Sequence, residues 1–188
     1  MKIVLIRHSK TLVEPGKAIV LWGLSDEGIE KAKTLSGNDV IKEVQVLYAS
    51  LQTKALETAI YLGKPNGIPI KTDNAFTEIT SFTNQFISKK QEYEQGVYDF
   101  YHGVIERIAE GETSAEALQR FNDALERIIV QETKNGVNTL GIVSHGNMLA
   151  FFTSQYADVK PFDLHDKIQM PDVAVLDWDT KKFVSLWG

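Results

Sequence analysis

KIVLIRHSKT, residues 2–11, is a short apolar run rich in β-branched residues that closes on two charge-bearing side chains, Arg7 and His8. That pattern predicts a strand buried on both faces that delivers polar groups at its carboxyl end. TLGIVSH, residues 139–145, repeats the arrangement and ends in His145. Two histidines at equivalent strand ends can converge on one crevice. In open α/β sheets ligands bind there, beyond the carboxyl ends of the strands.

The chain between and around these runs alternates in the same rhythm. SDEGIEKAKTLSG (25–37) begins with capping-type residues and stops at Gly37, and VQVLYAS (44–50) reads as a second strand. LQTKALETAIYLG (51–63) places Leu51, Ala55, Ala59 and Leu62 close to helical spacing, and IPIKTD (68–73) is a short strand. Thr113 and Glu116 have capping-box spacing, and Leu118, Phe121, Leu125, Ile128 and Ile129 continue as one apolar stripe. NMLAFFTSQYA (147–157) predicts another helix. VAVLDWD and FVSLW predict a terminal strand pair about a turn at Asp179 to Lys182. The expected fold is α/β in three α/β/α layers, with a mostly parallel central sheet and helices on both faces. A single domain over 1–188 is expected, with a small helical cap insertion at about 81–111. That insertion carries Phe82, Phe86, Tyr93, Tyr98, Phe100 and Tyr101, which are expected to pack the cap rather than floor a pocket.

Composition removes whole classes of chemistry. With 188 residues, 43% of them apolar, the chain can bury one sizeable core. It has no cysteine, which excludes disulfides, thiolate metal sites and a cysteine nucleophile. No apolar run reaches the length of a membrane span, and no cleavage signal follows the opening residues, so a soluble cytoplasmic protein is expected, with no membrane partner. The net charge of −5 is moderate and the Lys and Arg residues are scattered, which gives no nucleic-acid footprint. An anionic ligand must therefore be held by a few local cations. Neither GxxxxGK[ST] nor GxGxxG occurs, and no HExxH or carboxylate cluster suggests a metal, so no cofactor is expected.

At the level of motifs the sequence resembles the histidine phosphatase superfamily, the phosphoglycerate-mutase-like proteins. RHSKT at Arg7 to Thr11 is similar to the RHGxT signature, and SHGNM at Ser144 to Met148 to the second histidine motif. SLQTKALETA (50–59), the FTE of Phe76 to Glu78, LSDEG (24–28) and GETSAEALQR (111–120) resemble four further family segments in the family's order. The resemblance implies a phosphomonoesterase in which His8 is the nucleophile and forms a phosphohistidine. It further implies Arg7, Lys54 and His145 as phosphate-binding groups, and Glu78 as general acid and then base. A phosphoryl group in flight spreads negative charge over its equatorial oxygens, so fixed cationic donors can supply the electrostatics without a metal.

Three residues depart from the family pattern. Lys54 stands where the family has Arg, which keeps the charge and loses the bidentate fork. Ser9 replaces a Gly, and Glu14 takes the place of a phosphate-binding Asn. Either the loop from Leu12 to Gly23 turns Glu14 away, or a carboxylate weakens phosphate binding by repulsion. The family therefore leaves three readings: a phosphatase of a small phosphorylated metabolite, a cofactor-dependent phosphoglycerate mutase, and a catalytically weak phosphate-ligand-binding protein. Oligomeric state and substrate carry no sequence signal, although α-ribazole-phosphate phosphatases have comparable length. The remaining histidines, His102 and His165, lack a strand-end setting and read as surface or loop residues.

Overall fold

The computed structural model describes residues 1–83, 89–108 and 110–188; Phe86 of the aromatic set lies outside them. The opening run forms strand β1 (Lys2–Arg7), with Ile3 to Ile6 buried. There follow α1 (Asp26–Ser36), α2 (Asp39–Lys42), β2 (Val46–Ala49), α3 (Thr53–Gly63), β3 (Ile70–Thr72), α4 (Lys90–Tyr101) and α5 (Ser114–Lys134). The chain closes with β4 (Thr139–Ser144), α6 (Gly146–Ser154), α7 (Pro161–His165), β5 (Asp172–Asp177) and β6 (Lys182–Ser185).

One six-stranded sheet has the order β3-β2-β4-β1-β5-β6. The first four strands are mutually parallel, and β5 and β6 are antiparallel, β5 lying alongside β1. Strand side chains alternate between faces, and the core divides accordingly. Ile3, Leu5, Tyr48, Leu140 and Ile142 pack on one face with Phe121, Leu125 and Ile128 of α5 and with Leu149 and Phe152 of α6. Val4, Ile6, Leu47, Ala49 and Val143 pack on the other with Ile41 of α2 and with Ala55, Ala59 and Leu62 of α3. The sheet is thus mostly parallel and covered on both faces, as its continuous apolar strands require. Phe121 joins Phe76 and Phe152 at ring distances of 5.0 and 4.7 Å, all three fully buried. Phe121→Ala should cost about 3–5 kcal/mol in denaturant unfolding.

The helix starts follow their caps. Ser25 accepts from Gly28 N at α1, and Thr113 and Glu116 close a reciprocal capping box at α5. Gly28 is required by close approach, because a Cβ there would lie 2.0 Å from the Lys10 carbonyl oxygen. One expected stripe is corrected. Leu51 is 55% exposed and precedes α3, which begins only at Thr53, and the buried face of α3 uses Lys54 and Thr58 beside Ala55, Ala59 and Leu62. The short helices α2 and α7 add to the expected elements. Between Ser81 and Gly111 the described chain contributes α4, and the ends of the segment meet. Ser81 Oγ donates to the Glu112 carbonyl at 2.8 Å, and a Cβ on Gly111 would strike Ser81 backbone at 2.2 Å. Phe82 packs edge-on against Phe100 at 5.0 Å, and Tyr101 stacks on Phe151 at 4.7 Å. Among the described residues no helix is long and apolar enough to cross a membrane.

Candidate active site

Register between β1 and β4 decides the site. Arg7 lies beside Ser144, and His8 N donates to the Ser144 carbonyl at 3.0 Å, so both strands end flush and release His8 and His145 side by side. Their rings stand 5.0 Å apart at 61°. Ala49 pairs with Val143 on the other side of β4, which brings Ser50 level with Ser144 and within reach of His145. The three strand ends open into a cavity of about 170 Å³ whose walls include Arg7, His8, Lys54, Glu78 and His145.

Hydrogen bonds set the histidine tautomers. His8 Nδ1 lies 2.8 Å from the Ser9 carbonyl oxygen, an acceptor only, so Nδ1 carries the proton and Nε2 keeps its lone pair. Ser50 Oγ accepts from Gln52 N at 3.2 Å and is 2.9 Å from His145 Nε2, and because Ser50 is fully buried and that nitrogen is the only acceptor for its hydroxyl proton among the described residues, the hydroxyl is assigned as the donor. The His145 proton then resides on Nδ1, a buried atom with no partner among the described residues. Arg7 Nη1 donates to the Ile168 carbonyl, while Arg7 Nε is buried and also without a partner among the described residues. Buried polar atoms are normally paired. Two orphaned donors on groups that line one cavity therefore call for an acceptor from outside. Gly146 makes room for this arrangement, since a Cβ there would sit 2.7 Å from Arg7 Cζ.

Burial dominates the electrostatics. It pushes the His8 pKa down to about 3, with Lys54 and then Arg7 adding to the effect and the Ser9 carbonyl opposing it. His145 is held well below its ordinary value, first by burial and then by His8. Both rings are thus neutral, the form a nitrogen nucleophile needs. Folded values below the unfolded value of 6.5 mean that the unfolded chain binds more protons in the window beneath it. Stability is then full above pH 6.5 and falls as pH drops from 6.5 towards 3, by about 1.4 kcal/mol per unit for each fully shifted ring. Thermal unfolding in phosphate-free buffer should show the melting temperature falling between about pH 6.5 and 5, with a shallower fall for His8→Gln. Equal slopes would contradict the depressed value.

Lys54, in the first turn of α3, is 6% exposed and donates to the Ile19 carbonyl at 3.2 Å. Burial lowers its pKa and Glu78 opposes that shift. Glu78 is buried at the amino terminus of α6. Its Oε2 accepts from Asn147 N at 3.2 Å and Asn147 Nδ2 at 3.0 Å, and its Oε1 from Met148 N at 2.8 Å and Ile79 N at 3.0 Å. Arg120 fixes the segment that carries it. Its fork binds both Glu112 oxygens at 2.6 and 3.1 Å, and its third nitrogen reaches the Ala75 carbonyl at 2.5 Å. GETSAEALQR, read in the sequence only as a motif, is thus a clamp behind the Glu78 loop.

The residues expected at the site from the sequence therefore share one cavity: Arg7, His8, Lys54, Glu78 and His145. Glu14 is turned away, half-exposed and paired with Lys17 at 3.1 Å, while its carbonyl accepts from Trp22 Nε1 at 2.9 Å. Ser9 is buried on the far side, donating to the Gly28 carbonyl at 2.6 Å. His102 is exposed and stacked on Tyr98. His165 is corrected. It lies in the cavity wall, where burial lowers its pKa, with Arg7 the next cause. The placement follows from α7 folding back on α6, for which DLHDK held no local signal. Ile19, Trp22, Phe82 and Tyr93 complete the apolar wall. Phe82 and Tyr93 thereby line the cavity, Phe82 while also packing on Phe100. Among the described residues no cluster of three or more His, Asp or Glu could hold a metal ion.

A mostly parallel sheet thus brings two neutral histidines to its strand ends beside a buried guanidinium with an unpartnered nitrogen among the described residues, an arrangement that suits an anionic ligand. The model of the histidine phosphatase superfamily (branch 1) matches residues 3–187, and the chain belongs to that family, and with it to the phosphatase class of enzymes. Solved structures share the fold at low identity. A mycobacterial glucosyl-3-phosphoglycerate phosphatase is 15% identical, with a TM-score of 0.77 over 100% of this chain and 96% of its own. YhfR of Bacillus stearothermophilus is 21% identical, with a TM-score of 0.75 over 99% of this chain and 95% of its own. A phosphoserine phosphatase variant of Entamoeba histolytica, in complex with phosphoserine, is 18% identical, with a TM-score of 0.75 and the same coverages as YhfR. No curated protein matches the sequence.

Proposed function

We propose that this protein is a cytoplasmic, metal-independent phosphomonoesterase that hydrolyses a small phosphorylated metabolite through phospho-His8. The observation that carries the reading is the pair of orphaned donors, Arg7 Nε and His145 Nδ1, on groups that line the same cavity as the lone pair of His8 Nε2. In the first half-reaction His8 Nε2 bonds to phosphorus, the ester P–O bond breaks, and Glu78 protonates the departing oxygen. In the second, Glu78 takes a proton from water as the water oxygen bonds to phosphorus, the N–P bond breaks, and inorganic phosphate leaves. Arg7, Lys54 and His145 supply charge and hydrogen bonds to the equatorial oxygens throughout.

The leaving group meets a different wall, made by Ile19, Trp22, Phe82, Thr83 and Tyr93. Lys17 and Lys10, on the segment that follows His8, are paired with Glu14 and Glu27, and Lys54 is the lysine described in the cavity wall. Such a wall suits an uncharged, partly apolar leaving group better than one bearing a carboxylate. A phosphate-release screen tests the function. Its panel should contain 3-phosphoglycerate, phosphoserine, glucosyl-3-phosphoglycerate, α-ribazole phosphate and neutral alkyl phosphates. Release from at least one substrate is expected, with the highest kcat/KM on neutral leaving groups. Isomerisation of 3-phosphoglycerate without release would favour the mutase reading, and thermal stabilisation without turnover the binding-protein reading.

Lys54 supplies a second test. Lys54→Ala removes a buried cation from the transition state, and kcat/KM should fall by about a hundredfold or more. Because Glu14 is paired with Lys17, an arginine at position 54 is not drawn off by that carboxylate and keeps the charge that faces Glu78, so Lys54→Arg should retain far more activity than Lys54→Ala. Unchanged kinetics and vanadate affinity in both variants would remove Lys54 from phosphate binding.

A further inference from the structure

A chain of hydrogen bonds leaves the cavity behind Glu78. Asn147 Nδ2 donates to Glu78 Oε2 at 3.0 Å, and the Tyr101 hydroxyl donates to Asn147 Oδ1 at 2.9 Å. Beyond it, the Tyr101 oxygen lies 3.4 Å from His165 Nδ1. Since the single hydroxyl proton is used on Asn147, the contact with His165 has Nδ1–H as donor. The Tyr101 ring is set by stacking on Phe151 at 17° and by an edge contact to Phe162 at 5.7 Å. Burial, and then Glu78, raise the phenol pKa, so the hydroxyl keeps its proton. The segment that caps the cavity is thereby connected to the reacting carboxyl through side chains on α4, α6 and α7.

We propose that Asn147, Tyr101 and His165 form a positioning chain that satisfies Glu78 first as an acid and then as a base. This rests on the hydrolase reading above for the role of Glu78. As drawn, Glu78 receives four N–H donors, an arrangement that suits the carboxylate alone. A carboxylic acid needs an acceptor for its own proton, and a buried hydroxyl facing only donors would be costly. Asn147 meets that need by rotating its amide by about 180°, which presents Oδ1 to the acid and Nδ2 to the tyrosine oxygen. The tyrosine proton then turns to His165 Nδ1, which accepts once the ring has given its Nδ1 proton to solvent and taken one from solvent at Nε2. Each member of the chain is both donor and acceptor, so the whole chain reverses without leaving a buried polar atom unpaired. No proton passes along it. The proton on Glu78 turns from Asn147 Oδ1 to the leaving oxygen when that oxygen takes it, and a proton returns to Glu78 from water.

The test compares kcat/KM for benzyl phosphate, whose alkoxide must be protonated, with that for p-nitrophenyl phosphate, whose leaving group needs little help. Wild type, Tyr101→Phe, Glu78→Gln and the double variant are measured as full-length chains. Tyr101→Phe keeps the ring stack and removes one link, and it should lower kcat/KM for benzyl phosphate about five- to tenfold while leaving the aryl substrate within about twofold. Retained aryl turnover shows that the variant is folded. In the Glu78→Gln background Tyr101→Phe should add no further loss, because the link then has nothing to position. Equal losses on both substrates, a loss that adds in full to that of Glu78→Gln, or no loss on either would overturn the chain. If Glu78→Gln itself affects both substrates equally, the assignment of Glu78 fails instead, and the two failures are distinguishable.

Discussion

His8→Ala is expected to bring phosphomonoester hydrolysis down to background, a loss on the order of 10⁴–10⁶ in kcat, because in the proposed mechanism it removes the atom that bonds to phosphorus. The same substitution should leave the fold intact. His8 lies just beyond the end of β1, and the one side-chain hydrogen bond described for it goes to the carbonyl of its own neighbour, Ser9. Removing a buried ring whose pKa is pushed down to about 3 also removes a source of acid destabilisation. As pH drops below about 6.5 the melting temperature of the variant should therefore fall less steeply than that of the wild type. Thermal melts and phosphate release on one preparation check both halves. Near wild-type turnover with any good substrate would remove His8 from the chemistry, and an unfolded variant would give it a structural role that its contacts do not show.

Glu78→Gln should slow hydrolysis of benzyl phosphate by about a hundredfold to ten-thousandfold, the range of a general acid, and slow p-nitrophenyl phosphate far less. The substitution has a structural cost that the ratio cancels. Glutamine offers one carbonyl oxygen where Glu78 offers two, so its amide nitrogen must face either the Asn147 or the Met148 donors. Stability should fall by about 1–3 kcal/mol from that mismatch alone, which a denaturant titration measures. A selective loss on the alkyl substrate isolates proton transfer from misfolding. Equal losses on both substrates would give Glu78 a binding or structural role.

The parts of this site legible in the sequence are those held by local pattern. β1 and β4 are buried on both faces, so they read as continuous apolar runs, and their flush ends place Arg7, His8 and His145 with no information beyond the register of a parallel pair. The capping box at Thr113 is equally local. What the sequence withheld depends on chain segments far apart. His165 enters the cavity wall because α7 folds onto α6, and Tyr101 reaches Asn147 only because the segment around α4 closes over the strand ends. Leu51 fits a helical period yet precedes the helix, since Gln52 and not Ser50 takes the cap position. The two alternatives for Glu14 could be separated only by its pairing with Lys17, a matter of loop conformation. Lys54 shows the converse. An unremarkable lysine in a helix start becomes one of the buried cations of the site, and the motif register around it was the only sequence signal.

Rapid mixing of the wild-type protein with a radiolabelled phosphomonoester, quenched separately into acid and into base, tests the phosphohistidine directly. The account predicts a label on the chain that survives base, is lost in acid, maps to the peptide containing His8 and is absent from His8→Ala. An acid-stable label, a label retained by His8→Ala, or full turnover of substrate with no label at any quench time would contradict it.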